Sequence, residues 1–563
     1  MTWFGAHSFW GHLRHLLAAA IASEGVDSRH WMTPDDPEVL RARIAETLGG
    51  DPAAPSLVDG LGRDLYIDFV SDTGDDVTVS RAVARLVFAS YELPDPDRPG
   101  QFLTAPRGDI LFFGGDTAYP VGTAQEILNR VIVPWNQVLA ALPQDGTGAG
   151  AGDHGCRVLL GIPGNHDWYD GADGFARMFR CRVDAVELPA PLVGVRSSQL
   201  AHSVEWLREF VQAGTVDKPD ALVLSGYTPV QGASYFALRL APGIDLIAVD
   251  RQLTAIDPRQ RAYLGRAYRA HPGSAALVVI PDPVHLFGDP SKTGTQMVDN
   301  LHIDATARKT FVLSGDIHHY ERSARGEALH VIAGGGGAFL HPARIAKGGL
   351  PPTVSWPNVA QSRALLRGVP WKLARGRSGW LPHFCLLLLY APTVLFSGGL
   401  LTRWGGRVAA AIGETIVLGV VFALLGGLVG PRPGRRRVLP LALTAAAVFS
   451  LLPIAASLLV GAVRPHVRYP GAHLALSLVA LALAAFVGTL AFGALLTLFT
   501  LFGYDHLHAL TALDHPGFKH FVRLRVRADG SGIDGWCIGA ADPLRAEVRP
   551  ELVDQFAWRP FKK

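Results

Sequence analysis

Cysteine is scarce. Four residues in 563, Cys156, Cys181, Cys385 and Cys537, lie far apart with no CxxC pair, which excludes a disulfide framework and a thiolate metal cluster and fits a reducing compartment. Charge is scarce too, at 18% of residues against 49% hydrophobic, with a formal net charge of +3. So small a basic excess gives no argument for nucleic-acid binding, and so apolar a chain cannot be disordered. A convincing signal peptide is also missing, because HLLAAAIA after Arg14 is too short and poorly flanked. With roughly 100 to 200 residues per domain, the length calls for several units.

What is abundant is long apolar runs. Residues 381–402, 408–430, 438–463 and 470–504 are each long enough to cross a bilayer, since about 20 apolar residues span the hydrocarbon layer as a helix. Arg363, Arg367, Lys372, Arg375 and Arg377 precede the first run, and Arg432, Arg435, Arg436 and Arg437 separate the second from the third. The alternate loops hold only Arg403 with Arg407 and Arg464 with Arg468. By the retention of positive charge on the cytoplasmic side, four helices then leave both termini in the cytoplasm. Glu414 is the lone acid inside these runs and is read as interfacial rather than as part of a transport path.

Ahead of the apolar half the pattern is different. Residues 1–60 form an accessory segment with one expected helix, 37–48. From Leu65 to His341 short aliphatic runs recur: LYIDFV, DILFFG, RVLLGI, IDLIAV, ALVVI, TFVLSG and LHVIAG. Runs of this kind, alternating with helical stretches such as 81–91 and 124–142, predict an α/β layered domain over 61–345. Residues 143–155 read as a surface loop and 346–380 as a basic linker. The tail, 505–563, contains a hairpin around Asp529-Gly530 and is expected to be a small cytoplasmic element.

Acids, amides and histidines fall immediately after the predicted strands. They are Ser71-Asp72-Thr73-Gly74, Gly115-Asp116-Thr117-Ala118-Tyr119, Gly164-Asn165-His166-Asp167, Pro281-Asp282-Pro283-Val284-His285 and Gly315-Asp316-Ile317-His318-His319. Carboxyl ends of strands in open α/β sheets line the ligand crevice, so residues distant in sequence meet there. Oxygen and imidazole donors without sulfur suit Mn, Fe, Zn or Mg.

In order and spacing these motifs resemble the calcineurin-like metallophosphoesterases, whose pattern runs D-x-H or D-x-G, GD, GNH[DE], a histidine after a strand, and GHxH. GNHD is the most specific piece. Asp72-x-Gly74 and Asp116-x-x-Tyr119 look like the purple acid phosphatase variant. The resemblance covers residues 65–341 and implies a four-layer α/β/β/α sandwich followed here by an all-α membrane region of four helices. It implies two divalent or trivalent metal ions: one held by Asp72, Asp116 and His318 with Tyr119 as a further candidate ligand, the other by Asp116, Asn165, Asp282 and Asp316. His166 and Asp167 are the candidate catalytic pair, His166 facing the leaving group and Asp167 fixing its tautomer. Two positions depart from the family. Asp316 replaces the first histidine of GHxH, and the fourth-motif histidine is either replaced by Asp282 or displaced to His285.

Weaker candidates are Gly334–Gly337 as a rim of the cleft, His319 and His341 as supporting or surface histidines, and Arg259, read as a structural ion pair rather than a phosphate ligand. The expected function is a membrane-anchored, metal-dependent phosphoesterase hydrolysing a phosphate mono- or diester or a pyrophosphate. Its partners would be the lipid bilayer and a phosphorylated substrate, lipid-linked ones among them, and no nucleic acid. The alternative is a catalytically inactive membrane sensor or scaffold that binds a phosphorylated ligand.

Overall fold

The computed structural model describes residues 33–142, 156–181, 221–252, 256–345, 351–395, 435–503, most of 508–545, and 549–561, with a few single positions between 349 and 417. They fall into two compact units. One carries every strand among the described residues. The other, within Val359–His515, is helical.

The first unit contains two seven-stranded sheets. In chain order the strands are β1 (Leu65–Val70), β2 (Ile110–Phe113), β3 (Arg157–Gly161), β4 (Tyr227–Pro229), β5 (Phe236–Ala241), β6 (Ile244–Ala248) and β7 (Ala275–Ile280). They continue with β8 (Thr310–Ser314), β9 (Tyr320–Arg325), β10 (Ala328–Ala333), β11 (Val354–Trp356), β12 (Lys519–Val526), β13 (Ile533–Ala540) and β14 (Glu551–Trp558). One sheet has the order β14-β13-β12-β1-β2-β3-β4 and the other β11-β9-β10-β8-β7-β6-β5. β1 to β4 pair in parallel, as do β6, β7, β8 and β10 in the order β6-β7-β8-β10. All but β4 are the continuous apolar runs of the sequence, and β2, β7 and β8 are buried along their whole length, as such runs require.

Inner faces of the two sheets meet through aromatic contacts. Phe112 on β2 packs on Phe236 on β5 with ring centroids 5.9 Å apart, and Phe311 on β8 packs on Phe556 and Trp558 of β14, both at 5.7 Å. The outer face of the first sheet is covered by Val77–Val87 and Val133–Ala140, with Trp135 against Phe113 at 5.3 Å. The outer face of the second is covered by Pro258–Ala270 and Lys292–Asn300 through Leu264, Met297 and Val298. The expected helix at the N-terminal edge is present as Pro37–Thr47, with Asp36 capping it.

The tail differs from its expectation. The hairpin forms, Val526 opposite Ile533, but it is no separate element. β12 pairs antiparallel with β1, Leu65 opposite Val526, so the last three strands complete the sheet that β1 begins. Arg523, fully buried, fixes this closure. Its guanidinium meets Asp68 of β1 at 2.6 and 2.9 Å and donates to the carbonyls of Val87, Ala89 and Ala105. A charge buried this way is stable only because every donor is used.

In the helical unit, two stretches of 23 and 31 residues are long and apolar enough to cross a membrane: Thr444–His466, which spans most of the helix Arg435–Val463 and the 3-10 turn after it, and Gly471–Leu501 within the helix Pro470–Leu501. Leu388, Leu451, Leu459, Leu474, Val479 and Leu483 are each more than half exposed, a concentration of bare apolar surface that a water-soluble unit rarely carries. Of the four expected spans, the third and fourth correspond to these helices. The first is met by Leu381–Leu395, only 15 residues, because its remainder lies outside the described residues. The second, with Glu414, lies almost wholly outside them. Among the described residues, two helices are long and apolar enough to cross a membrane. Within the basic linker, Val359–Leu366 and Val369–Ala374 are helices.

Candidate active site

Asp72, Asp116 and Asn165 follow the carboxyl ends of the adjacent parallel strands β1, β2 and β3, and Asp282 and Asp316 follow those of β7 and β8. Parallel pairing aligns these ends along one edge of each sheet, which is why five separate motifs converge. Asp72, Asp116 and Asp316 all have positive φ, 61°, 50° and 64°. Left-handed backbone at a non-glycine residue costs on the order of 1–3 kcal/mol, and such strain collects at functional sites. Glycine is needed beside them. A Cβ at Gly164 would collide with the Asp116 carboxylate, and one at Gly315 with Ser71 and Asp72.

At the centre is the Tyr119 hydroxyl. It lies 2.8 Å from Asp72 Oδ1, 3.2 Å from Asp116 Oδ2 and 3.0 Å from His318 Nε2, and His318 Nε2 is 3.3 Å from Asp72 Oδ1. The outer carboxylate oxygens are engaged as well. Asp72 Oδ2 accepts from Ser71 Oγ at 2.6 Å and from the Asp316 amide at 3.0 Å, and Asp116 Oδ1 accepts from the His166 amide at 2.8 Å. His341 supports His318: its Nδ1 accepts the His318 amide at 3.0 Å and the two rings stack at 4.3 Å.

Burial, and then repulsion from Asp72, Asp167 and Asp316, push the Asp116 carboxyl well above the usual carboxylate range. Asp316 is raised by burial and by Asp282. Burial raises Asp282 while Arg251 opposes the rise. Carboxyls crowded and raised in this way are relieved by a cation. Asp282 joins this group, with Arg251 Nη1 3.1 Å from its Oδ1. His285 does not: its ring packs on His330 at 5.6 Å. The fourth motif thus contributes its acid.

Asp167 and His166 are not partners. Asp167, fully buried, accepts the amides of Thr117 at 3.1 Å and Gly164 at 3.0 Å, and burial raises its pKa to about 7. It ties the second motif to the third. The His166 tautomer is set instead by the Pro120 carbonyl, 2.6 Å from Nδ1. A carbonyl only accepts, so Nδ1 carries a proton. Asn165 donates to the Tyr169 hydroxyl. Gly336 and Ala338 donate to the Ser71 and Asp72 carbonyls at 2.9 and 2.8 Å, so the glycine-rich stretch backs the first motif. His319 faces Glu321, at 3.5 Å, and Arg259 is exposed at the start of a helix.

Two residues escaped the sequence reading. Arg251 stands three residues beyond β6, in no motif. Lys519 opens β12, fully buried, with its ammonium on the Ala338 carbonyl and its pKa lowered to about 8 by burial. Its position became meaningful only once β12 had joined β1.

The residues can be tested against a metal by their chemistry. Asp72, Asp116, Tyr119 and His318 offer hard oxygen and imidazole donors suited to Mn, Fe, Zn or Mg. As the side chains lie, no group of three or more His, Cys, Asp or Glu among the described residues forms a metal cage. The Tyr119 hydroxyl bonds to all three of the others, and exchanging its proton for an ion would join the same four side chains. The donors fit there. They fit less well around Asp282 and Asp316, because a guanidinium already touches Asp282.

No protein-family model matches the chain, and no curated protein matches it. Two solved structures show a distant likeness. One is GAP50, described as the anchor in the inner membrane complex of Plasmodium, at 10% identity over 52% of this chain and 77% of that one, TM-score 0.28. The other is PhoD, at 10% identity over 49% of this chain and 58% of that one, TM-score 0.22. Scores this low carry no weight for function.

Proposed function

We propose that this chain is a membrane-anchored, metal-dependent phosphoesterase that hydrolyses a phosphate mono- or diester or a pyrophosphate. The observation that supports it most is the meeting of Asp72, Asp116, Tyr119 and His318, delivered by three strand ends and bonded around one hydroxyl. The four-layer sandwich expected from the sequence motifs agrees with the helix-covered pair of sheets.

Asp72, Asp116, Tyr119 and His318 would hold a metal ion. Bound there, it would polarise a phosphoryl oxygen and supply hydroxide near neutral pH. The chain's own residues do the rest. The Asp116 carboxylate is oriented by the His166 amide, and Asp72 by Ser71 and the Asp316 amide. His166 rests on the Tyr119 ring, centroids 4.3 Å apart. With Nδ1–H committed to Pro120, Nε2 takes up and releases the proton that the leaving oxygen needs.

The apolar helices serve as the anchor. The positive flanks of the apolar runs in the sequence favour a catalytic unit that faces the cytoplasm. A lipid-borne phosphate is the substrate class such tethering favours. The rival reading is a phosphate-binding sensor without turnover.

Hydrolysis of an aryl phosphate and a bis-aryl phosphate by the Mn- or Fe-loaded full-length protein, beside Asp116→Asn, decides between them. The account expects turnover that falls at least about a thousandfold in the variant, together with loss of bound metal. Phosphate binding without turnover in the loaded wild type would establish the sensor.

A further inference from the structure

Arg251, Asp282 and Asp316 come from neighbouring strands. β6, β7 and β8 are adjacent and parallel, and each delivers one of these residues just past its carboxyl end. The guanidinium therefore stands in line with two carboxylates by the topology of the sheet. Its Nη1 meets Asp282 Oδ1 at 3.1 Å, and the side chains are only 16% and 6% exposed. Two polar atoms here are buried without a hydrogen-bond partner, Arg251 Nε and Asp282 Oδ2. These are polar groups that no other protein group satisfies.

We infer that Arg251 takes the place of a second metal ion, so that this chain binds one ion per site and uses the Arg251 guanidinium as a fixed cation for the substrate's phosphate. The inference rests on the phosphoesterase reading and departs from the two ions that the sequence resemblance implies. An arginine keeps its charge at any working pH, so an ion placed among Asn165, Asp282 and Asp316 would face a permanent like charge. Burial works against the Arg251 charge, but the neighbouring Asp282, Asp316 and Asp116 outweigh it and hold its pKa above the usual arginine value. A guanidinium offers what an ion at that position would offer a phosphoryl group, positive charge, and adds directional N–H donors. Arg251 Nε is the donor free to do so.

The test is the number of Mn ions bound per full-length chain at saturation, by elemental analysis after removal of free metal, with inorganic phosphate binding to the loaded protein measured by calorimetry. The wild type is expected to hold about one ion. Arg251→Ala is expected to keep that ion and to bind phosphate at least tenfold more weakly, while Arg251→Lys, which keeps the charge, recovers part of the loss. Two ions per wild-type chain with intact hydrolysis would overturn this inference and leave the phosphoesterase reading standing. No ion at all, with no hydrolysis, would overturn both. Unchanged phosphate affinity in folded Arg251→Ala would remove the guanidinium from substrate binding. The wild-type count needs no variant, so a misfolded substitution leaves the decision intact.

Discussion

Two clusters of buried acid face each other across this site, and they are neutralised differently. Asp72 and Asp116, from the first sheet, close around a phenol and an imidazole, groups that release or share a proton and leave room for an ion. Asp282 and Asp316, from the second, stand beside a guanidinium that releases nothing. A motif alone does not separate these cases, because both present carboxylates after a strand. The group that neutralises them decides whether the position is a metal site or a phosphate clamp.

His166→Ala sharpens the comparison most. His166 touches the first cluster through its amide, which alanine keeps, so metal content should be unchanged while turnover falls by about 100- to 10,000-fold. Normal turnover in that variant would take the imidazole out of the reaction. Next is Arg523→Ala. Removing one partner of a buried ion pair costs about 3–5 kcal/mol, and because this pair joins β12 to β1, denaturant unfolding should show the whole sheet unit destabilised. A loss below about 1 kcal/mol would mean that the tail is not integral to the sheet.

Tyr119→Phe should weaken metal binding at the first cluster by about 10- to 100-fold and leave Asp282 and Arg251 untouched. Equal metal affinity would show that the phenol is only a wall. The smallest effect concerns Lys519, whose folded-state pKa of about 8 lies below its ordinary value of 10.5. Between those values the unfolded chain binds the extra proton, so stability rises with pH from about 8 to 10.5. Lys519→Met should flatten that rise in thermal melts, and an unaltered slope would contradict the assignment.

The sequence made the first cluster readable because its residues sit in local motifs directly after strands whose apolar runs are unmistakable. It was less informative wherever the deciding partner is remote. The hairpin around Asp529-Gly530 has a local signature, but its pairing with β1 joins Leu65 to Val526, and nothing in either stretch announces the other. Arg251 follows a strand like the acids, yet a lone arginine has no motif, and only the order β6-β7-β8 shows that it meets Asp282. The tautomer of His166 was assigned to its sequence neighbour Asp167, whereas the group in contact is the carbonyl of Pro120, 46 positions earlier. Hydropathy located the two long helices well because apolar length needs no partner to be recognised.

The central claim is that a metal ion binds where Asp72, Asp116, Tyr119 and His318 meet. Anomalous X-ray scattering from the Mn-loaded protein tests it most directly. The account predicts a peak surrounded by those four side chains, and a map with no peak there, or with one only beside Asp282 and Asp316, would contradict it.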